Sequence, residues 1–378
     1  MKVCIVTQQY GRGWSGVGTY ATNLVKGLQH RNIEVEVICP EGMSTKGDDV
    51  RFHNVRSQGW EHKVNYWLPL AWRVAALIKK QKFDTRFDII HFTDARESLF
   101  IPKEMSVVGT VNDYYPITCP LNPMALKQHY SRWVMRWLYW RFVRLCEPMA
   151  YRKLSAVAVN SNFIGQELIK NYGLNRKKIE IVNYGIENLL PAEACKLAGK
   201  PSILFVGTNF QRKGLPVLIK AVSEIKEHYP GVMLHVVGAD PNVDAMRKIS
   251  AECGVSDRVL FRGPKPNEEV RGMRPSIFAM PSLIEGFGIV YLEMMMAGIP
   301  VIGGRTGGTV ELISDGRNGF LVDPGNVMEL TDKILRLLNN RVLCEKIIKA
   351  GKETALQYTT DRMVEKTIAF YGKVIKTP

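Results

Sequence analysis

Apolar residues fall in short unbroken runs rich in Val and Ile, and the stretches between them carry apolar residues at helical spacing. Runs at 3–6, 35–38, 89–92, 107–111, 157–159 and 179–182 predict buried strands in the first half. Runs at 203–206, 234–237, 259–261, 277–280, 301–302 and 319–322 repeat the pattern in the second. Strands without polar alternation are covered on both faces, so parallel sheets flanked by helices are expected: an α/β, doubly wound architecture, present twice. The segment 187–201, with two prolines and a Gly-Lys-Pro exit, reads as the linker. The expected domains are 1–190, rejoined by the chain end at about 358–378, and 200–357. Two such halves are expected to face each other across a cleft lined by carboxyl ends of strands, where such sheets bind ligands.

The 378-residue length suits two domains. The formal net charge of +15 points to an anionic partner. Residues 114–178 concentrate it, with eleven basic residues against only Glu147 and Glu167. Seven scattered cysteines, without a Cys-x-x-Cys or a Cys/His cluster, argue against a disulfide framework or structural zinc and fit a reducing cytoplasm. The start of the chain reads as a first strand rather than a leader, and no run of about 20 apolar residues predicts a membrane span.

Three segments carry candidate chemistry. After the first strand, Gly16-Val17-Gly18 leads toward a helix expected at 21–29, and glycines at such a turn let backbone N–H groups approach a phosphate or a sugar. Turn chemistry alone explains them equally well. The spacing of Gly11, Gly13, Gly16 and Gly18 is not that of the dinucleotide fingerprint, which argues against a nicotinamide dehydrogenase. The second half opens with Gly207, Thr208 and then Arg212-Lys213-Gly214 before a helix at 215–228, two cations suited to a diphosphate, although for two isolated residues a solvated pair is the plainer reading. Glu285-Gly286-Phe287-Gly288-Ile289-Val290 and Glu293 set two carboxylates around a glycine-rich turn at a strand–helix junction. The amides there favour an anion, and Glu293 is placed to accept from both hydroxyls of a ribose.

The order of these segments, with Gly307-Gly308-Thr309-Val310-Glu311 and Asn318-Gly319-Phe320-Leu321-Val322 after them, resembles the family 4 retaining glycosyltransferases of GT-B fold over nearly the whole chain. The run from Val206 to Gly214 particularly resembles the bacterial lipopolysaccharide-core glucosyltransferase branch. The resemblance implies two Rossmann-like domains. It implies a nucleotide-diphosphate sugar donor, a UDP-sugar ahead of GDP-mannose, and no metal or other cofactor. Arg212 and Lys213 then hold the diphosphate, Glu293 the ribose, and Glu285 lies beside the sugar. The last helix, at 358–374, crosses back to the first domain. Two positions depart from the family. Asn112-Asp113 stands where His-Asp is usual, and asparagine cannot titrate, so Asn112 is left a hydrogen bond to a sugar hydroxyl. Thr208 replaces a frequent arginine, which places more of the diphosphate on Arg212 and Lys213.

Between 130 and 144, Trp133, Trp137 and Trp140 fall on one helical side with Arg132, Arg136, Arg141 and Arg144 around them. Val134, Leu138, Phe142 and Leu145 fall opposite and are expected to face the core. A Trp/Arg face turned outward suits an anionic membrane surface, and tryptophans packed under a loop are the plainer reading. The expected function is hexose transfer to a lipid-linked or membrane glycan by an enzyme held at the cytoplasmic face of the membrane. The competing readings are an epimerase or other enzyme on the same scaffold and a basic nucleic-acid-binding protein. No nucleic-acid module is recognisable, so no nucleic-acid partner is expected.

Overall fold

The computed structural model describes residues 1–11, 16–44, 50–56, 67–103, 105–112, 133–187 and 200–375. They form two compact units, Met1–Gly185 with the chain from Thr360 onward, and Ile186–Thr359.

The first unit holds a parallel sheet of β1 (Lys2–Val6), β2 (Glu34–Pro40), β3 (Arg51–Val55), β4 (Ile89–Phe92), β5 (Val107–Val111), β6 (Ala156–Val159) and β7 (Ile179–Ile181), in the order β3-β2-β1-β4-β5-β6-β7. Its helices are α1 (Gly16–Gln29), α2 (Trp67–Lys80), α3 (Trp133–Lys153) and α4 (Asn162–Tyr172). The second unit holds β8 (Ser202–Val206), β9 (Met233–Val237), β10 (Val259–Gly263), β11 (Ile277–Met280), β12 (Val301–Gly304) and β13 (Phe320–Val322), in the order β10-β9-β8-β11-β12-β13. Its helices are α5 (Leu215–His228), α6 (Val243–Glu252), α7 (Asn267–Gly272), α8 (Ile289–Met296), α9 (Thr309–Leu312), α10 (Val327–Asn339) and α11 (Arg341–Ala355). The last helix, α12 (Thr360–Ile375), belongs to the first unit.

The apolar runs form the central strands because each is buried on both faces: Val3 to Val6, Ile89 to Phe92, Ile277 to Met280 and Val301 to Gly304 are inaccessible or nearly so. In both sheets the order reverses beside the first strand, between β1 and β4 and between β8 and β11. Each reversal opens a crevice at the strands' carboxyl ends.

Three expectations need correction. β3 has no counterpart among the predicted strands, because Arg51-Phe52-His53-Asn54-Val55 is a polar edge strand. His53 bonds the buried Glu36 on β2 at 2.5 Å. α1 begins at Gly16 rather than Ala21, so Gly16 and Gly18 lie in its first turn, where Gly18 O accepts from Thr22 Oγ1 at 2.8 Å. The aliphatic face expected to pack α3 does not do so: Leu138, Phe142 and Leu145 are exposed, Leu145 by 67%. The buried stripe is Val143, Cys146, Glu147, Ala150 and Tyr151, set against the 3-10 turn Ala95–Ser98. Its charge is met there, since Tyr172 donates its hydroxyl to Glu147 and Arg96, forked on Asp94, lies 3.8 Å away. A glutamate in the packed stripe hides that stripe from a reading based on apolar periodicity.

α12 docks on α1, where Gly27 leaves room for Val364 that a Cβ would take at 2.3 Å. A polar chain runs beneath it. Tyr371 Oη meets His91 Nδ1 at 2.6 Å, His91 Nε2 meets Thr110 Oγ1 at 2.7 Å, and Thr110 Oγ1 meets Tyr20 Oη at 3.0 Å. Burial pushes the His91 imidazole from 6.5 down to about 3, so it is neutral at ordinary pH. Below pH 6.5 the unfolded chain then binds the proton that folded His91 refuses, and stability falls with pH. His91→Gln should remove this component. The stability advantage of wild type over the variant should therefore shrink by about 2 kcal/mol between pH 7 and pH 5 in urea unfolding. An advantage that does not change with pH would contradict a neutral His91.

Candidate functional site

In the second unit the segments following β8 and β11 are bound to each other at the crevice. Phe210 N donates to Asp240 Oδ2 at 2.7 Å, and Asn209, at φ 55°, turns the loop toward α5. Gly214 ends the loop at φ +80°, and a Cβ there would lie 2.0 Å from the Pro281 carbonyl oxygen. Leu283 N donates to the Arg212 carbonyl at 2.7 Å, closing the stitch between the two loops. A third loop, after β12, lies on the second: Gly308 N donates to Glu285 O at 2.9 Å. Gly304, Gly307 and Gly308 each bring backbone so near that a Cβ would stand 2.1 Å from a carbonyl of Ser282, Glu285 or Gly286. The Gly307-Gly308 pair is therefore a packing requirement.

These loops bring Arg212, Lys213 and Glu285 together. Lys213 Nζ lies 2.7 Å from Glu285 Oε2, and Ser282 Oγ donates to the same oxygen at 3.3 Å. Burial pushes the Glu285 carboxyl up, but Lys213, Arg212 and the two hydrogen bonds outweigh it and hold the group below the usual range, ionised. Arg212 is anchored by one arm, Nη1 donating to Ile284 O at 3.0 Å. Its Nε is buried with no hydrogen-bond partner among the described residues. Such a donor costs about 1–3 kcal/mol while unmet, so the site is poised for an acceptor beside two cations. Gly207 lies against the Lys213 stem, where a Cβ would be 3.2 Å from Cδ.

Gly288, at φ +89°, starts α8, and the amides of Gly288, Ile289 and Val290 open that helix. Phe287 is buried, its ring 5.9 Å from that of Tyr358. Glu293 sits on the second turn of α8, half-buried, 3.4 Å from Asn267 Nδ2. Its carboxyl is pushed up to about 7 by burial, which Arg271 opposes and Glu187 reinforces. Ser282 and Asn267 had no signal in the sequence that singled them out.

In the first unit Asn112 follows β5 with both amide ends engaged. Its Nδ2 donates to Thr93 O at 2.8 Å, and its Oδ1 accepts from the Tyr184 hydroxyl. Tyr184 was passed over by sequence reasoning because it is 72 residues away. Gly16 opens α1 in open space, with nothing within 4 Å of a Cβ built there. Arg141 and Arg144 are exposed on α3. Arg132, Asp113 and the side chains of Trp133, Arg136, Trp137 and Trp140 lie outside the described residues.

Two family models match the chain: Glycosyltransferase Family 4 over residues 14–188, and Glycosyl transferases group 1 over residues 192–354. The GDP-mannose-dependent alpha-(1-6)-phosphatidylinositol monomannoside mannosyltransferase of Mycobacterium tuberculosis is 31% identical, over 46% of this chain and 48% of that protein. The match thus spans about half the length of that relative. The D-inositol 3-phosphate glycosyltransferase of Corynebacterium diphtheriae is 24% identical over 97% of this chain and 91% of its own. Among solved structures, the sucrose-phosphate synthase of Thermosynechococcus elongatus superposes with a TM-score of 0.81 over 100% of both chains at 18% identity, a likeness of fold.

The stitch makes a direct prediction. Gly214→Ala should destabilise the second unit by about 2–4 kcal/mol in thermal or urea unfolding, combining positive-φ strain with overpacking. Gly272→Ala, where a Cβ meets nothing within 4 Å, is the control and should be near neutral. Equal stability of the two variants would mean that the loops are not held together as described.

Proposed function

The chain belongs to the family 4 glycosyltransferases of GT-B fold, and we propose that it moves a hexose from a nucleoside diphosphate to a membrane-borne glycan with retention of configuration. The observation that carries the reading is the unmet Arg212 Nε beside Lys213 at the reversal point of the second sheet. That is the geometry a diphosphate satisfies. In this reading Arg212 and Lys213 take the diphosphate, with the amides of the turn at 286–288 and of Ile289 and Val290 at the start of α8 on its far side. Glu293 accepts from the ribose hydroxyls, Glu285 lies next to the sugar, and Asn112 hydrogen-bonds one of its hydroxyls. Gly16 leaves exposed backbone for the donor, and Gly18 and Gly207 belong to the same site as positions without a Cβ.

The chemistry needs no proton-accepting side chain. The bond between the sugar's anomeric carbon and the diphosphate oxygen breaks while the acceptor oxygen bonds that carbon from the same face. The acceptor proton passes to the departing diphosphate oxygen. Charge on that oxygen grows as the bond breaks, and Arg212, Lys213 and the α8 N-terminus are the fixed positive groups that stabilise it. On this reading a divalent metal is not required.

The sequence leaned to a UDP-sugar. A relative at 31% identity is named as GDP-mannose-dependent, which supports GDP-mannose as the first donor to assay and UDP-glucose as the second. For the acceptor, the corrected surface of α3 is the support. Leu138, Phe142, Leu145 and Met149 recur at intervals of four, three and four, so they share one exposed face, with Arg141 and Arg144 also exposed. Trp72 is exposed on α2, whose Trp67 Nε1 bonds Tyr139 Oη on α3 at 2.9 Å. Apolar side chains among arginines suit shallow insertion into an anionic leaflet, which supports the reading of attachment at the cytoplasmic face. No helix among the described residues is long and apolar enough to cross a membrane.

Two outcomes test the reading. The protein should hydrolyse GDP-mannose or UDP-glucose slowly without acceptor and in the presence of EDTA. Affinity for the matching nucleoside diphosphate should fall by up to about tenfold per unit as pH drops below 7, because a protonated Glu293 is a poorer acceptor for ribose hydroxyls. Glu293→Gln should bind more weakly and with a shallower profile, retaining only the dependence that comes from the nucleotide's own terminal phosphate; an unchanged profile would remove Glu293 from the site. Separately, wild type should sediment with vesicles containing anionic lipid. The Phe142→Ser/Leu145→Ser variant should lose about 1.5–3 kcal/mol of that attachment per residue, with donor hydrolysis intact. Undiminished sedimentation would withdraw the membrane face.

A further inference from the structure

Four neighbouring strands of the first unit, β4 to β7, are followed by Thr93, Asn112, Asn160 and, after Val182, Asn183. Their amides form a ladder across the strand ends. Asn112 Nδ2 donates to the Thr93 carbonyl at 2.8 Å, Asn160 Nδ2 to the Asn112 carbonyl at 2.8 Å, and Asn183 Nδ2 to the Asn160 carbonyl at 3.0 Å. A main-chain carbonyl only accepts, so each rung fixes which end of the amide faces its neighbour. The side-chain oxygens are then left over. Asn112 Oδ1 accepts from Tyr184 and Asn183 Oδ1 from Lys366 Nζ at 2.8 Å, whereas Asn160 Oδ1 is buried with no partner among the described residues.

Asn160 is held on both sides. Val159 before it carries a carbonyl that accepts from Val182 N at 2.8 Å, and Ser161 after it caps α4, its hydroxyl accepting from Ile164 N at 3.2 Å. Asn160 itself is 2% exposed. A residue so fixed can act as a clamp. β5 stops pairing at Val111, and the grip on the Asn112 carbonyl comes from Asn160.

We infer that Asn160 is a positioning residue for transfer: it grips the Asn112 carbonyl and so sets the backbone from which the Asn112 amide reaches the sugar. This rests on the role given to Asn112 under Proposed function. Asn160 does not touch substrate through this contact. Its effect passes through Asn112, whose side-chain amide is held in turn by the Thr93 carbonyl and the Tyr184 hydroxyl.

The test is a double-mutant cycle on kcat for donor hydrolysis, with GDP-mannose and UDP-glucose as probes. Asn160→Asp is nearly isosteric but sets an acceptor against the Asn112 carbonyl. It should lower kcat on the order of tenfold, the loss of about one hydrogen bond's worth of positioning. Asn112→Ala should lower kcat as well, and the double variant should be no slower than Asn112→Ala alone. Losses that multiply in the double variant, or a wild-type kcat for Asn160→Asp, would overturn the inference while leaving the role of Asn112 standing. A wild-type kcat for Asn112→Ala would overturn both. Tyr184→Phe serves as the second variant and should be equally non-additive with Asn112→Ala; additive loss contradicts the clamp. Amide exchange gives a readout that needs no donor: in Asn160→Asp at pH 7.5, residues 107–112 should exchange on the order of tenfold faster, with residues 202–206 unchanged. Unchanged exchange at 107–112 would also overturn the inference.

Discussion

A carboxylate buried at the end of a parallel sheet needs a cation, and in the second unit Glu285 has Lys213 at 2.7 Å. The site follows from that pair. The partners come from the loops after β8 and β11, separated by 72 residues in sequence, and the pair holds only if those loops lie against each other. Gly214 permits it by leaving the Pro281 carbonyl uncovered, and the glycines after β12 brace the Glu285 loop from the other side. Removing one partner of such a pair costs about 3–5 kcal/mol, because the other charge is left buried. The same arrangement places Arg212 with one arm bound and Nε unmet.

The pair also explains how one site can hold an anion and a carboxylate together. With Lys213 compensated by Glu285, the remaining positive character belongs to Arg212 and to the N-terminus of α8. In the proposed reading a diphosphate there would satisfy Arg212 Nε without first stripping Lys213 from its partner. Lys213 would then be shared between Glu285 and the phosphate, beside the breaking bond. Glu293 behaves differently. Among the described residues no cation lies at hydrogen-bond distance from it and Asn267 is at 3.4 Å, so burial leaves its carboxyl up at about 7. The two glutamates, eight positions apart, are separated in charge state by their neighbours.

Much of the fold was legible because central strands of a parallel sheet must be apolar on both faces. Ile277-Phe278-Ala279-Met280 has no other use. β3 was not legible: an edge strand can be Arg51-Phe52-His53-Asn54-Val55 when His53 finds Glu36 beside it. Nor was the packed side of α3, where Glu147 interrupts the apolar stripe and is made tolerable by Tyr172 and Arg96, contacts from distant segments. The motifs of the second unit were legible as residues at strand ends, since glycines, cations and carboxylates crowd there. That Lys213 meets Glu285 and that Asn112 is gripped by Asn160 and Tyr184 are non-local facts, and no spacing announces them.

The central claim is that Arg212 and Lys213 form an anion site for a nucleoside diphosphate. Calorimetric titration of GDP and of UDP into wild type, Arg212→Ala and Arg212→Ala/Lys213→Ala tests it most directly. The account predicts that wild type binds one of the two nucleotides. Arg212→Ala should lose at least about tenfold in affinity, the worth of a charge-assisted bond, and the double variant more. Equal affinity of wild type and both variants, with folding intact, would contradict it.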